Sequence, residues 1–297
     1  MPQFDRVFIV GCGDIGKRVA AVWQDRSKDV LALARSPESA EKLESLGITS
    51  VHGDLDKPES LKDLPLSNAL MYYLAPPPRD GVTDSRMAHF LNSVDDDNLP
   101  AQFIYMSTSG VYGDTGGQWV AEDAPLNPTS DRSRRRVDAE KQVREWCSVQ
   151  GIPYNILRVP GIYGPGRLPI DKVKRGRPVL REEDSPHSNR IHADDLARIC
   201  AQVATDGHPN EIYNVRGDEI STVTQYYYTL ADLLGVERPP TITWEEAQEQ
   251  YSPISLSFLK DSKRLDISKL QSHLDYQFLY PSLEEGLRAT LREADIK

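Results

Sequence analysis

Three groups of residues in this chain have types and spacings suited to chemistry. The first is Gly11-Cys12-Gly13-Asp14-Ile15-Gly16, which fits G-x-G-x-x-G without a mismatch. Gly11 allows a tight turn, Gly13 lets the backbone approach a pyrophosphate, and Gly16 lets a helix pack closely on a strand. The phosphates would meet unpaired backbone N–H groups at the positive end of the helix dipole. Cys12 could be a reactive thiol there, but a small filler of the loop is the stronger expectation. The second group, Arg35-Ser36, falls about twenty residues past the glycines, where NAD sites carry an acidic residue for the ribose 2′-OH. A guanidinium and a hydroxyl would instead bind a 2′-phosphate that a carboxylate repels. NADP(H) is therefore expected, with NAD as the alternative and a solvated loop arginine as the plain reading of Arg35. The third group is the run Arg132, Arg134, Arg135 and Arg136, the one dense patch of cations in the chain.

The elements that must position these residues are legible around them. Val7 to Val10 is a short β-branched run, and Ile15, Val19, Val22 and Trp23 recur at helical spacing. Val30 to Ala34 closes a strand-helix-strand unit, the context that makes the glycine motif a dinucleotide fingerprint. Pro37 to Leu46 reads as a helix beginning at a Ser-Pro boundary and stopping at Gly47. A third strand, Ile48 to His52, runs into Gly53-Asp54-Leu55, a turn at the carboxyl edge where the adenine would rest. Asp54 there either bonds the exocyclic amine or serves its own backbone. A fourth strand, Ala69 to Ala75, meets Pro76-Pro77-Pro78, which forbid ladder pairing and force an extended loop at the same edge. Phe103 to Met106 is a fifth strand, a helix from about Ser133 to Gln150 follows, and Tyr154 to Arg158 is a sixth. Strands alternating with helices predict an α/β chain with a doubly wound parallel sheet. Residues 1–160 form the dinucleotide-binding domain on this reading. Residues 161–297 form a smaller mixed substrate lobe, with pieces free to interleave. Thr222 to Leu234 reads as a helix in that lobe, its tyrosines (Tyr226, Tyr227 and Tyr228) used for packing.

Composition narrows the partners. A formal charge of -10 leaves no broad basic surface for a nucleic acid. The three cysteines (Cys12, Cys147 and Cys200) show neither metal spacing nor a disulfide framework, which points to a reducing cytoplasm and no metal. Neither a signal peptide nor a membrane-spanning run is expected. The anticipated partner is a small-molecule substrate, and a homodimer is compatible with everything above.

These segments together resemble the extended short-chain dehydrogenase/reductases, the NAD-dependent epimerase/dehydratase group. The likeness is carried by the glycine loop, HGDLD at 52–56, STSGVYGD at 107–114 and EDAPLNP at 122–128. It continues through ILRVPGIYGPGR at 156–167, RIHADDLARI at 190–199, IYNVRGDEIS at 212–221 and the C-terminal SKRLDISKLQSHLDYQFLYPSLEEGL. The resemblance implies a Rossmann domain, a C-terminal substrate lobe and an active site in the cleft between them. It also implies reversible hydride transfer on nucleotide-sugars or other small hydroxy and carbonyl compounds. The glycine loop is one residue shorter than the group's usual G-x-x-G-x-x-G, which places the chain nearer its atypical branch.

The resemblance also locates a departure. The group's Ser/Thr falls on Thr108, but its Tyr-x-x-x-Lys, aligned by Glu140, falls on Arg132 and Arg136. No tyrosine lies between Tyr112 and Tyr154. An arginine stays protonated, so Arg132 cannot exchange a proton as tyrosine does. Arg136 can still donate to a ribose hydroxyl or phosphate, and two arginines one turn apart on a helix would suit an anionic substrate. Arg134 and Arg135 are expected on a solvated face. Replacement proton carriers would be Tyr112 or His187, while Tyr163 and His192 read as structural and Asp194 and Asp195 as loop or cap residues. Ala75 and Leu55 complete the expected cofactor wall. Two functions fit: an NADP-dependent oxidoreductase, epimerase or dehydratase with altered acid/base groups, or a non-catalytic NADP(H)-binding redox sensor.

Overall fold

Every residue of the first strand that carries a purely apolar side chain is sealed from solvent, and this sets the architecture. In the computed structural model, which describes residues 4–252, 255–256 and 259–294, β1 (Arg6–Val10) is an interior strand of a seven-stranded sheet. The chain then supplies α1 (Asp14–Gln24), β2 (Asp29–Ala34), α2 (Pro37–Glu44), β3 (Thr49–His52), β4 (Ala69–Tyr73), α3 (Ser85–Asn92) and β5 (Gln102–Thr108). It continues with α4 (Asp131–Gln150), β6 (Tyr154–Val159), α5 (Ala193–Asp206) and β7 (Glu211–Asn214). The strand order is β7-β6-β5-β4-β1-β2-β3 and each pairing is parallel. This is a Rossmann-type doubly wound sheet, as the alternation of elements predicts.

Strand periodicity divides the core into two layers. Val7 and Ile9 face a cluster with Val19 and Trp23 of α1 and Leu196 and Cys200 of α5. Phe8 and Val10 face the opposite cluster, with Phe90 of α3 and Val143 and Cys147 of α4. Side chains alternate across the strand, so a fully covered parallel sheet needs apolar residues at every position. One polar chain crosses the first layer: Trp23 Nε1 donates to the Tyr72 hydroxyl at 3.0 Å, which donates to the Cys200 carbonyl at 3.0 Å.

Several boundaries differ from the sequence reading. β5 extends to Thr108 because Ser107 and Thr108 pair with Arg158 and Val159 of β6. α4 begins at Asp131, two residues before expectation, since Ser130 accepts from the Ser133 N–H at 3.2 Å and caps it. The charged run hid that start. α2 stops at Glu44 rather than Leu46. β4 ends at Tyr73, two residues short of Ala75, because the proline run ends its ladder. Beyond β6 the chain both returns to the sheet, through α5 and β7, and builds a separate small core. There Tyr163 packs with Tyr226 and Leu230 of α6 (Val223–Leu234) and with Leu287 of α7 (Leu283–Glu293).

Candidate active site

The glycine loop meets the geometric demands of its motif. Gly11 has φ +90°, and a Cβ there would stand 2.4 Å from the Ala75 backbone nitrogen, so the loop crosses the chain leaving β4 with no room for a side chain. A Cβ on Gly16 would fall 2.9 Å from the Gly11 carbonyl oxygen. Gly13 is different: a Cβ there meets nothing within 4 Å, so its face of the loop opens outward. That is where a pyrophosphate approaches a helix N-terminus, and these residues fit a dinucleotide. Ile15 is buried beneath the loop. Burial pushes the Cys12 thiol up to about 11, so it is a filler and not a reactive thiolate.

The loop also carries ion pairs that its sequence did not reveal. Asp14 accepts from Arg18 Nε at 3.1 Å and from Arg167 Nε at 2.5 Å, and Arg18 continues to Asp194. Burial acts to raise the Asp14 carboxyl, but the two guanidinium groups outweigh it and hold it below the usual range. Asp194 is therefore occupied by Arg18 rather than by its own helix. His192 caps α5 instead: its Nδ1 accepts the Asp194 N–H at 3.2 Å while Nε2 donates to Thr290 Oγ1 at 3.1 Å. Asp195 is buried and accepts from the Tyr276 hydroxyl at 2.7 Å and the Leu279 N–H at 2.8 Å.

At the adenosine end, Arg35 is exposed at the tip of β2, and Ser36 caps α2 by accepting the Ser39 N–H at 3.3 Å. Asp56 lies in electrostatic reach of Arg35 and is held by Arg86 at 2.6 and 2.7 Å. Asp54 serves its own turn, one carboxylate oxygen taking the Asp56 N–H at 3.0 Å. Leu55 packs on the second core layer, and its carbonyl accepts from His89 at 2.8 Å.

The run from Arg132 to Arg136 is sorted by its helix. Arg134 is exposed and pairs with Asp131 at 2.6 Å. Arg135, expected on the same solvated face, is only 6% exposed: it donates to the Gly81 carbonyl, and its buried Nε has no partner among the described residues. Arg136 reaches the sheet edge, where Nη1 donates to the Tyr105 hydroxyl at 3.1 Å, the Met106 carbonyl at 3.2 Å and the Ala75 carbonyl at 3.4 Å. Burial works against its charge, but Tyr105, Asp84 and Tyr73 together outweigh it.

Two cavities flank this helix. One, of about 370 Å³, lies between Pro76 to Arg79 and the arginines Arg132, Arg135 and Arg136. The other, about 500 Å³, is walled by the start of α4 and by the C-terminal lobe. Thr108 and Arg132 belong to both walls. Thr108 Oγ1 accepts the Gly110 N–H at 3.2 Å, leaving its own proton to give. The larger cavity has five basic residues (Arg132, Lys172, Arg177, Arg190 and Lys263) against one carboxylate, Asp261, among its described lining residues. Arg190 stacks 3.7 Å over the Tyr226 ring, with its Nε buried and without a partner among the described residues. Four of these five cations come from the C-terminal lobe, scattered through segments with no periodic signal. Of these four, Arg190 and Lys263 fell inside segments singled out in the sequence, RIHADDLARI and the C-terminal stretch that begins SKRLD.

Tyr112 does not join them. It is 1% exposed, its hydroxyl donates to Asn214 Oδ1 at 2.7 Å and accepts from Arg158 Nη1 at 2.8 Å, and burial pushes it up to about 12. It is a structural residue and not a proton carrier for the cleft. The same buried network holds Glu140, which takes Arg158 in a fork at 3.1 and 2.8 Å and the Ser107 hydroxyl at 2.5 Å. Tyr163 is buried edge-on to His192 at 5.2 Å. His187 lines the larger cavity. No group of three His, Cys, Asp or Glu residues is placed to hold a metal among the described residues, and none of their helices is long and apolar enough to cross a membrane.

A seven-stranded parallel sheet with a glycine loop at the β1–β4 crevice defines a dinucleotide-fold α/β protein with a C-terminal lobe over its site. The chain belongs to the NAD dependent epimerase/dehydratase family, whose model matches residues 7–215. It is 27% identical over 292 residues to protein YeeZ of Escherichia coli K12, covering 93% of this chain and 96% of that one. It is also 27% identical to the dTDP-glucose 4,6-dehydratase of Neisseria meningitidis serogroup B over 210 residues, which is 64% of this chain and only 57% of the dehydratase. A conserved protein of unknown function from Silicibacter pomeroyi superposes with TM-score 0.81 at 25% identity, covering 97% and 99% of the two chains. A UDP-glucuronic acid 4-epimerase from Bacillus cereus, solved in complex with NAD, superposes with TM-score 0.75 at 20% identity over 98% of each chain, a likeness of fold.

Proposed function

We propose that this protein is an NADP-dependent oxidoreductase, epimerase or dehydratase acting on a small anionic carbonyl or hydroxy compound, nucleotide-sugar-like in class. The observation that carries the reading is the shared wall. Thr108 and Arg132 border both a cavity beside the cofactor loops and a cavity with five cations to one carboxylate. The dinucleotide would rest on Gly11 to Gly16, with Ala75 and Arg136 toward its nicotinamide end and Arg35 and Ser36 toward its 2′-phosphate. Bound there, it would supply or remove a hydride. Thr108 donates a hydrogen bond to the substrate oxygen, and Arg132 stabilises negative charge as it develops on that oxygen, a contribution of several kcal/mol in a preorganised site. The remaining cations hold the substrate's anionic groups. The Bacillus cereus epimerase, solved in complex with NAD, supports a nicotinamide dinucleotide as the cofactor class.

A second reading, a non-catalytic NADP(H) sensor, is favoured by Arg136. Its guanidinium is already shared among three protein oxygens where a ribose-binding lysine is expected. Calorimetric titration with NADPH and NADH, followed by NADPH oxidation against aldehydes, keto acids and nucleotide-sugars, separates the two. Turnover lost in Arg132→Ala supports the enzyme. Tight binding with no turnover on any compound supports the sensor.

A further inference from the structure

Any carbonyl reduction in this cleft must give a proton to a substrate oxygen, and three groups near it cannot supply that proton. Arg132 holds its proton permanently, and the Tyr112 hydroxyl is spent on Asn214. Tyr251, on the far wall, donates to the Pro178 carbonyl. We propose that Lys263 is the proton donor of this cleft, a role that rests on the oxidoreductase reading above.

Lys263 lines the same cavity as Thr108 and Arg132 and is only 6% exposed. Its ammonium lies 3.7 Å from Asp261 Oδ2, close enough for charge attraction but too far for a hydrogen bond that would lock the proton. Asp261 accepts from the Thr129 hydroxyl at 3.3 Å, which ties this wall to the turn leading into Arg132. Lys263 and Thr108 thus line one cavity, with Asp261 and Thr129 joining the Lys263 segment to the turn before α4. Its backbone is fixed from three sides: its carbonyl accepts from Asn189 Nδ2 at 2.9 Å, and the neighbouring Ser262 donates to Asp114 at 2.9 Å and accepts from the His187 N–H at 3.1 Å. The charged and titratable groups around it are Asp261 and Asp114 beside it, with Arg132 and His187 on the other elements of the cavity wall. Burial lowers its affinity for the proton below that of an ordinary lysine, while the two carboxylates keep the ammonium populated. A lysine on a flexible stem with such a shift is suited to general acid work.

The step balances as follows in atoms and electrons. A carbonyl carbon seated at Thr108 receives a hydride with its electron pair from a reduced nicotinamide. The π pair moves to oxygen, and that oxygen bonds the Lys263 proton. The broken N–H bond leaves its electrons on a neutral amine, which water reprotonates.

The test uses the full chain. Reductive methylation with ¹³C-formaldehyde gives each lysine an NMR signal, and Lys263→Arg identifies the one at 263. The proposal expects it to titrate below the surface lysines, which lie near 10.4; titration with the surface set overturns it. Turnover of NADPH with glyoxylate and a panel of aldehydes is then followed against pH. Lys263→Ala is expected to lower kcat by about 100-fold or more, to erase the alkaline limb of the wild-type profile, and to regain activity with added methylamine. A merely structural lysine would move neither the limb nor the amine response. Turnover that Lys263→Ala leaves intact overturns this role alone. Failure of the wild type to bind either nicotinamide dinucleotide, or to turn over any compound, overturns the oxidoreductase reading and this role with it.

Discussion

At the scale of single residues, the proposed function keeps a dinucleotide loop and asks for a different handling of protons. On that reading Arg132 and Arg136 stand where the group's tyrosine and lysine are expected, and neither can release a proton at neutral pH. What a fixed cation can do is stabilise charge. Arg132→Ala is therefore expected to lower kcat/KM for an anionic carbonyl by about 10²-fold or more, with Arg132→Lys restoring part; steady-state kinetics on both variants checks this. On the proposed function, cofactor choice rests on Arg35 in the same way. Arg35→Asp should invert the preference from NADPH to NADH, because a carboxylate repels the 2′-phosphate and accepts the 2′-OH. Equal binding of the two dinucleotides by the wild type would remove that argument.

At the scale of elements, the cleft is held by contacts between strand ends and helix starts. Gly11 is where β1 turns over the chain leaving β4, and a methyl group there has neither the space nor the backbone angle it needs. Gly11→Ala should cost more than about 2 kcal/mol of stability and abolish dinucleotide binding, read by denaturant midpoint and calorimetry. Glu140 and Arg158 join α4 to β6 with side chains 0% and 3% exposed. Removing one charge strands the other, so Glu140→Gln should lose about 3–5 kcal/mol, with a lower urea midpoint as the readout. The hexapeptide and the strands around it were readable because each is a local pattern of period 2 or 3.6 or a fixed glycine spacing. The start of α4 was not, since four arginines give no amphipathic stripe and the Ser130 cap is a single short signal.

At the scale of the whole molecule, a chain of net charge -10 places five of its cations around one cavity. The C-terminal lobe returns over the glycine loop through Arg167, Asp14, Arg18 and Asp194. His192 sits at that junction, and burial lowers its proton affinity despite Asp194 and Asp195. The unfolded chain thus binds a proton that the fold resists. Its stabilising share is present above the unfolded value near 6.5 and is lost as the pH falls through the lower folded value. The melting temperature should drop as pH falls below about 6.5, and less steeply in His192→Gln; parallel slopes in both proteins would refute it. The sequence alone determined the fold class and the glycine loop between β1 and α1, because these are written in contiguous residues. Only the tertiary structure decided that Arg135 is buried while Arg134 is solvated, that Tyr112 belongs to a buried network, and that Lys263 and Thr108 line one cavity. Asp261, which ties Lys263 to Thr129, lies 132 residues along the chain from it. Contacts made across that distance leave no spacing to read and exist only once the two lobes have closed on each other.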